Sequence, residues 1–211
     1  MILVTAVLIL SSCSSTAPQI IQTSAQVIFD YADAESAPDV RFSVFVKSDD
    51  NVRRFSTMTV GYPASGYEWK ITEPELIASS DGEWAGWSKI EPRDSESIPQ
   101  GTYTLDCTDA YGNETRTEFT MAYPEDLIRS RARDIPALLG NGSTEKFAVY
   151  SAGKTLLYYG PRKKGWTDTG KIWQDYKEGD SFRRCWTTSS DTVVCILPPV
   201  MRLSDTKTEK K

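Results

Sequence analysis

The chain of 211 residues contains no histidine. That absence excludes Ser-His-Asp and Cys-His catalysis, histidine-ligated zinc and haem, and any imidazole switch with a pKa near neutrality. Cysteine is scarce, at four residues, and none is arranged as Cys-x-x-Cys. No phosphate loop, dinucleotide fingerprint or EF-hand is present, so no cofactor, metal or catalytic residue is expected. Basic residues are not in excess: 24 Lys and Arg face 29 Asp and Glu, for a net charge of −5. This balance argues against a nucleic-acid binder, whose affinity comes from neutralising phosphates. What the chain does have, 39% apolar and 25% charged residues, fits a soluble globular protein of one domain or two small ones.

The first twelve residues carry no charge and include an apolar run from Ile2 to Leu10. As a helix this run would cover about 14 Å, against about 30 Å of bilayer core, so its length suits the h-region of a secretory signal peptide. The run ends in Leu10-Ser11-Ser12-Cys13. This resembles the bacterial lipobox, an aliphatic residue and two small ones before a cysteine. The resemblance implies a diacylglyceryl group on Cys13, cleavage after Ser12 and acylation of the new amino group. Burial stabilises by about 0.8 kcal/mol per CH₂, so two or three chains hold firmly where one holds weakly. The implied address is the bacterial cell envelope, with the membrane as a partner through the lipid anchor. Ser14, where Asp would favour inner-membrane retention, points to the outer membrane. The pattern departs in one respect, since no Lys or Arg precedes Arg41. Residues 1–12 are thus expected to be a signal peptide and 13–37 a small, polar, Pro-containing tether, with a short first strand open at Gln26 to Phe29.

From Asp39 the hydrophobic period is two. Val40, Phe42, Val44 and Val46 alternate with Arg41, Ser43 and Lys47, as in a strand with one buried face. Phe55 to Val60 and Tyr67 to Ile71 read as further strands, and Pro74, Asp81-Gly82 and Gly86 break the chain around Trp84, Trp87 and Ile90. Short strands separated by turn residues point to a β-sandwich over 38–124.

The segment Pro99-Gln100-Gly101-Thr102-Tyr103, the turn Asp109-Ala110-Tyr111-Gly112-Asn113 and the strand Thr115 to Tyr123 resemble the last two strands of bacterial immunoglobulin-like and fibronectin-III-like domains. The resemblance implies an immunoglobulin-like sandwich, with the Tyr103 hydroxyl on a nearby backbone group as in a tyrosine corner. It brings no catalytic residues. Gly112 and Asn113 tolerate the positive φ that a reversal needs. Asp109 and Asn113 offer oxygen ligands, but turn chemistry explains both without a metal.

After Pro124, acids followed by bases from Glu125 to Ile135 suggest one short helix limited by Pro136. Strands are expected at Phe147 to Tyr150, Thr155 to Tyr159, Phe182 to Trp186 and Thr192 to Leu197. The fold class is therefore mainly β: a sandwich, a short helix, a smaller β-rich module over 125–203, and a disordered tail at 204–211.

Cys185 and Cys195 flank the last hairpin symmetrically about residue 190. Directly opposed strand positions approach disulfide distances, and an exported location permits oxidation, so this pair is expected to be bridged and Cys107 to be a buried free thiol. Charge is uneven: residues 23–124 hold 8 Lys and Arg against 18 Asp and Glu, and residues 125–211 hold 16 against 11. The basic half, with Arg129, Arg131, Arg133, Arg162, Lys163, Lys164, Arg183 and Arg184, would face an anionic envelope polymer, lipid headgroups or an acidic protein partner. Alternatively the two halves attract each other and fix their docking, or these are ordinary solvated faces. Six Trp and ten Tyr provide candidates for sugar stacking or protein contact, foremost Trp84, Trp87 and Trp166. The sequence points to a non-enzymatic envelope lipoprotein that binds or scaffolds; the competing class is an enzyme or accessory module acting on envelope glycans.

Overall fold

The computed structural model describes residues 17–92 and 97–202. The leader, Cys13 and the tail at 204–211 lie outside the described residues. The protein is mainly β and sandwich-like, with a large curled sheet and a second, smaller one.

The first strand, β1, spans Ile20–Asp30 and corrects the expected tether. Its polar residues disguise an alternation in which Val27 and Phe29 are fully buried, with Tyr31 just beyond. Following it are β2 (Asp39–Ser48), β3 (Phe55–Tyr62), β4 (Tyr67–Ile71), β5 (Glu75–Ser79), β6 (Gly82–Ile90), β7 (Gly101–Asp109) and β8 (Glu114–Met121). The second half contributes β9 (Ser143–Ser151), β10 (Leu156–Pro161), β11 (Gly179–Thr188), β12 (Val193–Ile196) and the two-residue β13 (Val200–Met201). Where a single helix was expected, two 3-10 turns lead into α1 (Ile135–Leu139). Pro136 begins this helix instead of limiting it, because the first turn needs no backbone N–H from that residue. A second helix, α2 (Thr169–Asp175), was not expected; the Asp168 side chain accepts from the Lys171 N–H at its start.

The small sheet runs β4-β3-β7-β8. The large sheet runs β10-β9-β11-β12-β1-β2-β6-β5, with β13 added on β11. β1 is the joint. It pairs antiparallel with β2 on one side and parallel with β12 on the other. One hydrogen-bonded sheet therefore passes through both expected modules.

The main core lies between the sheets, where Phe42, Val44 and Val46 of β2 meet Met58, Val60, Tyr103 and Leu105, all essentially inaccessible. Tyr103 donates to the Pro99 carbonyl at 2.7 Å, the contact that the tyrosine-corner resemblance implies. The Asp109 turn is held as its residue types suggest. One carboxylate oxygen accepts from the Tyr111 and Asn113 N–H groups, and the other accepts from the Asn113 amide and from Arg54, each at 2.9–3.0 Å. With these donors in place, Asn113 foremost, the Asp109 pKa falls to about 2. A second cluster, Phe147, Val149, Trp166, Ile172 and Phe182, sits under α2 and continues along the same sheet face.

The expected Cys185–Cys195 disulfide is absent, and all three described cysteines are free and buried. The register explains it. Cys185 stands opposite Ile196, while Cys195 stands opposite Trp186. A one-residue offset puts the two thiols on opposite faces of the sheet, beyond the reach of a bridge.

Candidate binding face

The face of the large sheet turned away from the core carries the other phase of each strand. β1 contributes Gln26, Ile28 and Asp30, β2 contributes Arg41, Ser43, Phe45 and Lys47, and β6 contributes Trp84, Gly86 and Ser88. Over its centre lies a recess of about 1110 Å³ lined by Gln26, Asp30, Arg41, Ser43, Phe45 and Ser88, among others.

Four of the five charged side chains that line the recess are paired, and Asp39 is the fifth. Asp30 accepts from Arg41 at 2.9 Å and from Arg183 at 2.6 Å, and Lys89 pairs with Glu91 at 3.0 Å. Arg183 further donates to the carbonyls of Tyr31 at 2.8 Å and Leu197 at 2.7 Å, so both its Nε and Nη2 are engaged within the fold. Phe45 crosses over Gly86. A Cβ at Gly86 would lie 2.6 Å from Phe45 Cα and equally close to its ring, so only glycine allows this approach. Nothing in composition marks Phe45, yet a signal exists: it is an aromatic in the polar phase of an alternating strand.

The tryptophans expected to be exposed in loops are placed otherwise. Trp84 and Trp87 both lie within β6 and are half-buried. Trp87 packs against the core and donates to the Lys89 carbonyl at 2.9 Å, because a bulge between Trp87 and Ile90 turns both inward. Trp84 lies on the outer face beneath the Lys47 ammonium, 5.5 Å from its ring centre. Lys47 in turn holds Asp81, whose pKa falls to about 2 with Lys47 as the leading cause. Trp166 is buried, and its indole N–H donates to Asp175 at 2.9 Å.

The basic half is largely committed within the fold. The Lys163 ammonium sits 4.6 Å from the ring centre of Tyr176, 5.0 Å from that of Tyr158 and 5.3 Å from that of Trp166. It also donates to the Tyr176 hydroxyl at 3.0 Å and to Asp175 at 3.3 Å, and the Tyr176 contact leads in raising its pKa. Arg162 donates to the Trp166 carbonyl at 2.7 Å, and Arg184 pairs with Glu145. Arg131 and Arg133 both reach Glu35 of the acidic half, at 3.0 and 3.1 Å. Only Arg129 and Lys164 of the eight have no side-chain partner among the described residues. Of these contacts, those of Arg131, Arg133 and Arg183 cross to acids of the first half, and those of Arg162, Lys163 and Arg184 stay within the second.

The thiols are equally withdrawn. Burial pushes Cys107 and Cys195 up to about 12 and Cys185 up to about 11. No group of three or more acidic or cysteine side chains among the described residues is arranged to hold a metal ion. Compared with known proteins, the chain matches no family model and no curated protein.

Proposed function

We propose that the chain is a non-enzymatic lipoprotein of the bacterial envelope, anchored through acyl chains on Cys13, that binds a ligand on the outer face of its large sheet. The observation that carries this reading is the recess over β1, β2 and β6, a concavity built on rigid strands. Two of its three carboxylates, Asp30 and Glu91, are engaged by Arg41, Arg183 and Lys89, which suits recognition better than acid–base chemistry.

The position of β1 bears on the anchor. Only residues 14–19 separate Cys13 from the start of β1 at Ile20, a reach of at most about 25 Å. An acylated Cys13 would hold the sheet close to the membrane instead of at the end of a long tether. β1 then carries the chain about 33 Å onward to Asp30, so the Asp30 end of the recess lies away from the anchored end.

Replacing Cys13 with Ala should abolish palmitate incorporation and release the protein from membranes; persistence of both sinks the lipoprotein reading. A photo-crosslinking residue at Ser88 in the native envelope should give a discrete adduct, whereas the same residue at Lys164 should not. No adduct from Ser88 counts against the binding face.

A further inference from the structure

We infer that the recess over β1, β2 and β6 takes a neutral carbohydrate, with a sugar ring packed on Phe45. This deepens the binding reading above and rests on it.

Charge narrows the ligand first. The two cations at the recess, Arg41 and Lys89, are each spent on a carboxylate, at 2.9 and 3.0 Å, and Asp39 adds further negative charge. An anionic polymer would find no spare cation there. A purely apolar ligand would strip water from Asp30, Arg41 and Gln26 without returning hydrogen bonds.

Free hydrogen-bonding capacity then points to hydroxyl groups. Ser43 is only 6% exposed, lines the recess and has no hydrogen-bond partner among the described residues. Gln26 spends its amide nitrogen on the Asp191 carbonyl at 2.9 Å, which leaves its carbonyl oxygen free. Ser88 donates to Glu75 at 2.9 Å and keeps its acceptor lone pairs. Amid these polar groups stands Phe45, an aromatic in the polar phase of β2 whose close approach to β6 requires Gly86. An apolar ring in a recess that also offers neutral donors and acceptors matches a sugar, which has an apolar C–H face and a rim of hydroxyls. The volume of about 1110 Å³ lies just above the range of small-molecule sites, roughly 300–1,000 Å³, and so favours an oligosaccharide over one sugar.

The test is saturation-transfer NMR and calorimetry on the full-length protein with N-acetylchitotetraose, maltotetraose and cellotetraose. At least one should bind, and Phe45→Ala should weaken it about tenfold or more, with the Lys164→Ala variant unchanged. Should Phe45→Ala fail to fold, Ser88→Trp fills the recess from β6 and should block binding. Absence of binding by all three sugars, or equal binding by Phe45→Ala or Ser88→Trp, overturns the assignment. An adduct from the Ser88 crosslinker without sugar binding would sink the carbohydrate while leaving the binding face standing.

Discussion

Arg183 of β11 meets Asp30 of β1 at 2.6 Å, an ion pair spanning 153 residues of sequence at the joint of the large sheet. The same guanidinium caps the Tyr31, Ile196 and Leu197 carbonyls, so it ties the end of β1 to the chain leaving β12. Arg183→Ala would leave Asp30 short of a partner and several carbonyls unserved, at about 3 kcal/mol in urea unfolding. Arg183→Lys should recover only part, because a point charge cannot replace the fork.

Because β1 serves both halves, the fragment 38–124 should not fold alone. It lacks Val27, Phe29 and Tyr31, each worth about 1.5–3 kcal/mol of burial, a loss comparable with the ~5–15 kcal/mol stability of a whole domain. Residues 17–202 should show a single thermal transition by circular dichroism, and 38–124 none. A cooperative transition in the fragment would show that the sandwich does not depend on β1.

Local patterning reveals β2, β3, β4, β7 and the Asp109 turn, because one buried face or one turn fixes their residue types. β1 is hidden for the opposite reason. Gln22, Thr23, Ser24 and Gln26 look like a tether, and the strand is set by partners in β2 and β12 that no local window contains. The Cys185 error is one of register. The symmetric reading centres the hairpin on residue 190, but Asp191 adopts φ 53° within the loop 189–192, and the pairing moves by one residue. At the candidate site, Gly86 was read as a chain break and is a close-approach position inside a strand. The basic residues were visible, but their commitments to Glu35, Asp30 and the ring cage depend on tertiary contacts.

The three buried thiols should be silent in the native state. With their pKa values at about 11–12, almost no thiolate exists at pH 8, so iodoacetamide should label Cys107, Cys185 and Cys195 only in denaturant. Intact mass after alkylation should not change with prior reduction. A gain of two labelled thiols on reduction would restore the disulfide.

Asp109 should shape the acid limb of stability. Its pKa is about 2 in the folded chain against 3.8 for the free side chain, so between these values the unfolded chain binds the extra proton. Its contribution is present above about pH 4 and is lost as pH falls toward 2. Asp109→Asn should lower Tm at pH 7 by several degrees and make the acid limb shallower, since the amide cannot serve Arg54 and the turn N–H groups alike. An unchanged slope between pH 4 and 2 would refute the assignment.

Lys163 gives the last test, because it separates a cage from a docking cation. If its ammonium is held by Tyr158, Trp166 and Tyr176, Lys163→Ala should disturb the packing around Trp166, shift its fluorescence and lower Tm by a few degrees. Lys164→Ala, on the exposed side of the same loop, should change neither. If instead Lys163→Ala and Lys164→Ala leave folding untouched and jointly abolish a salt-sensitive co-purification, the loop is a docking face and the ring contacts are incidental.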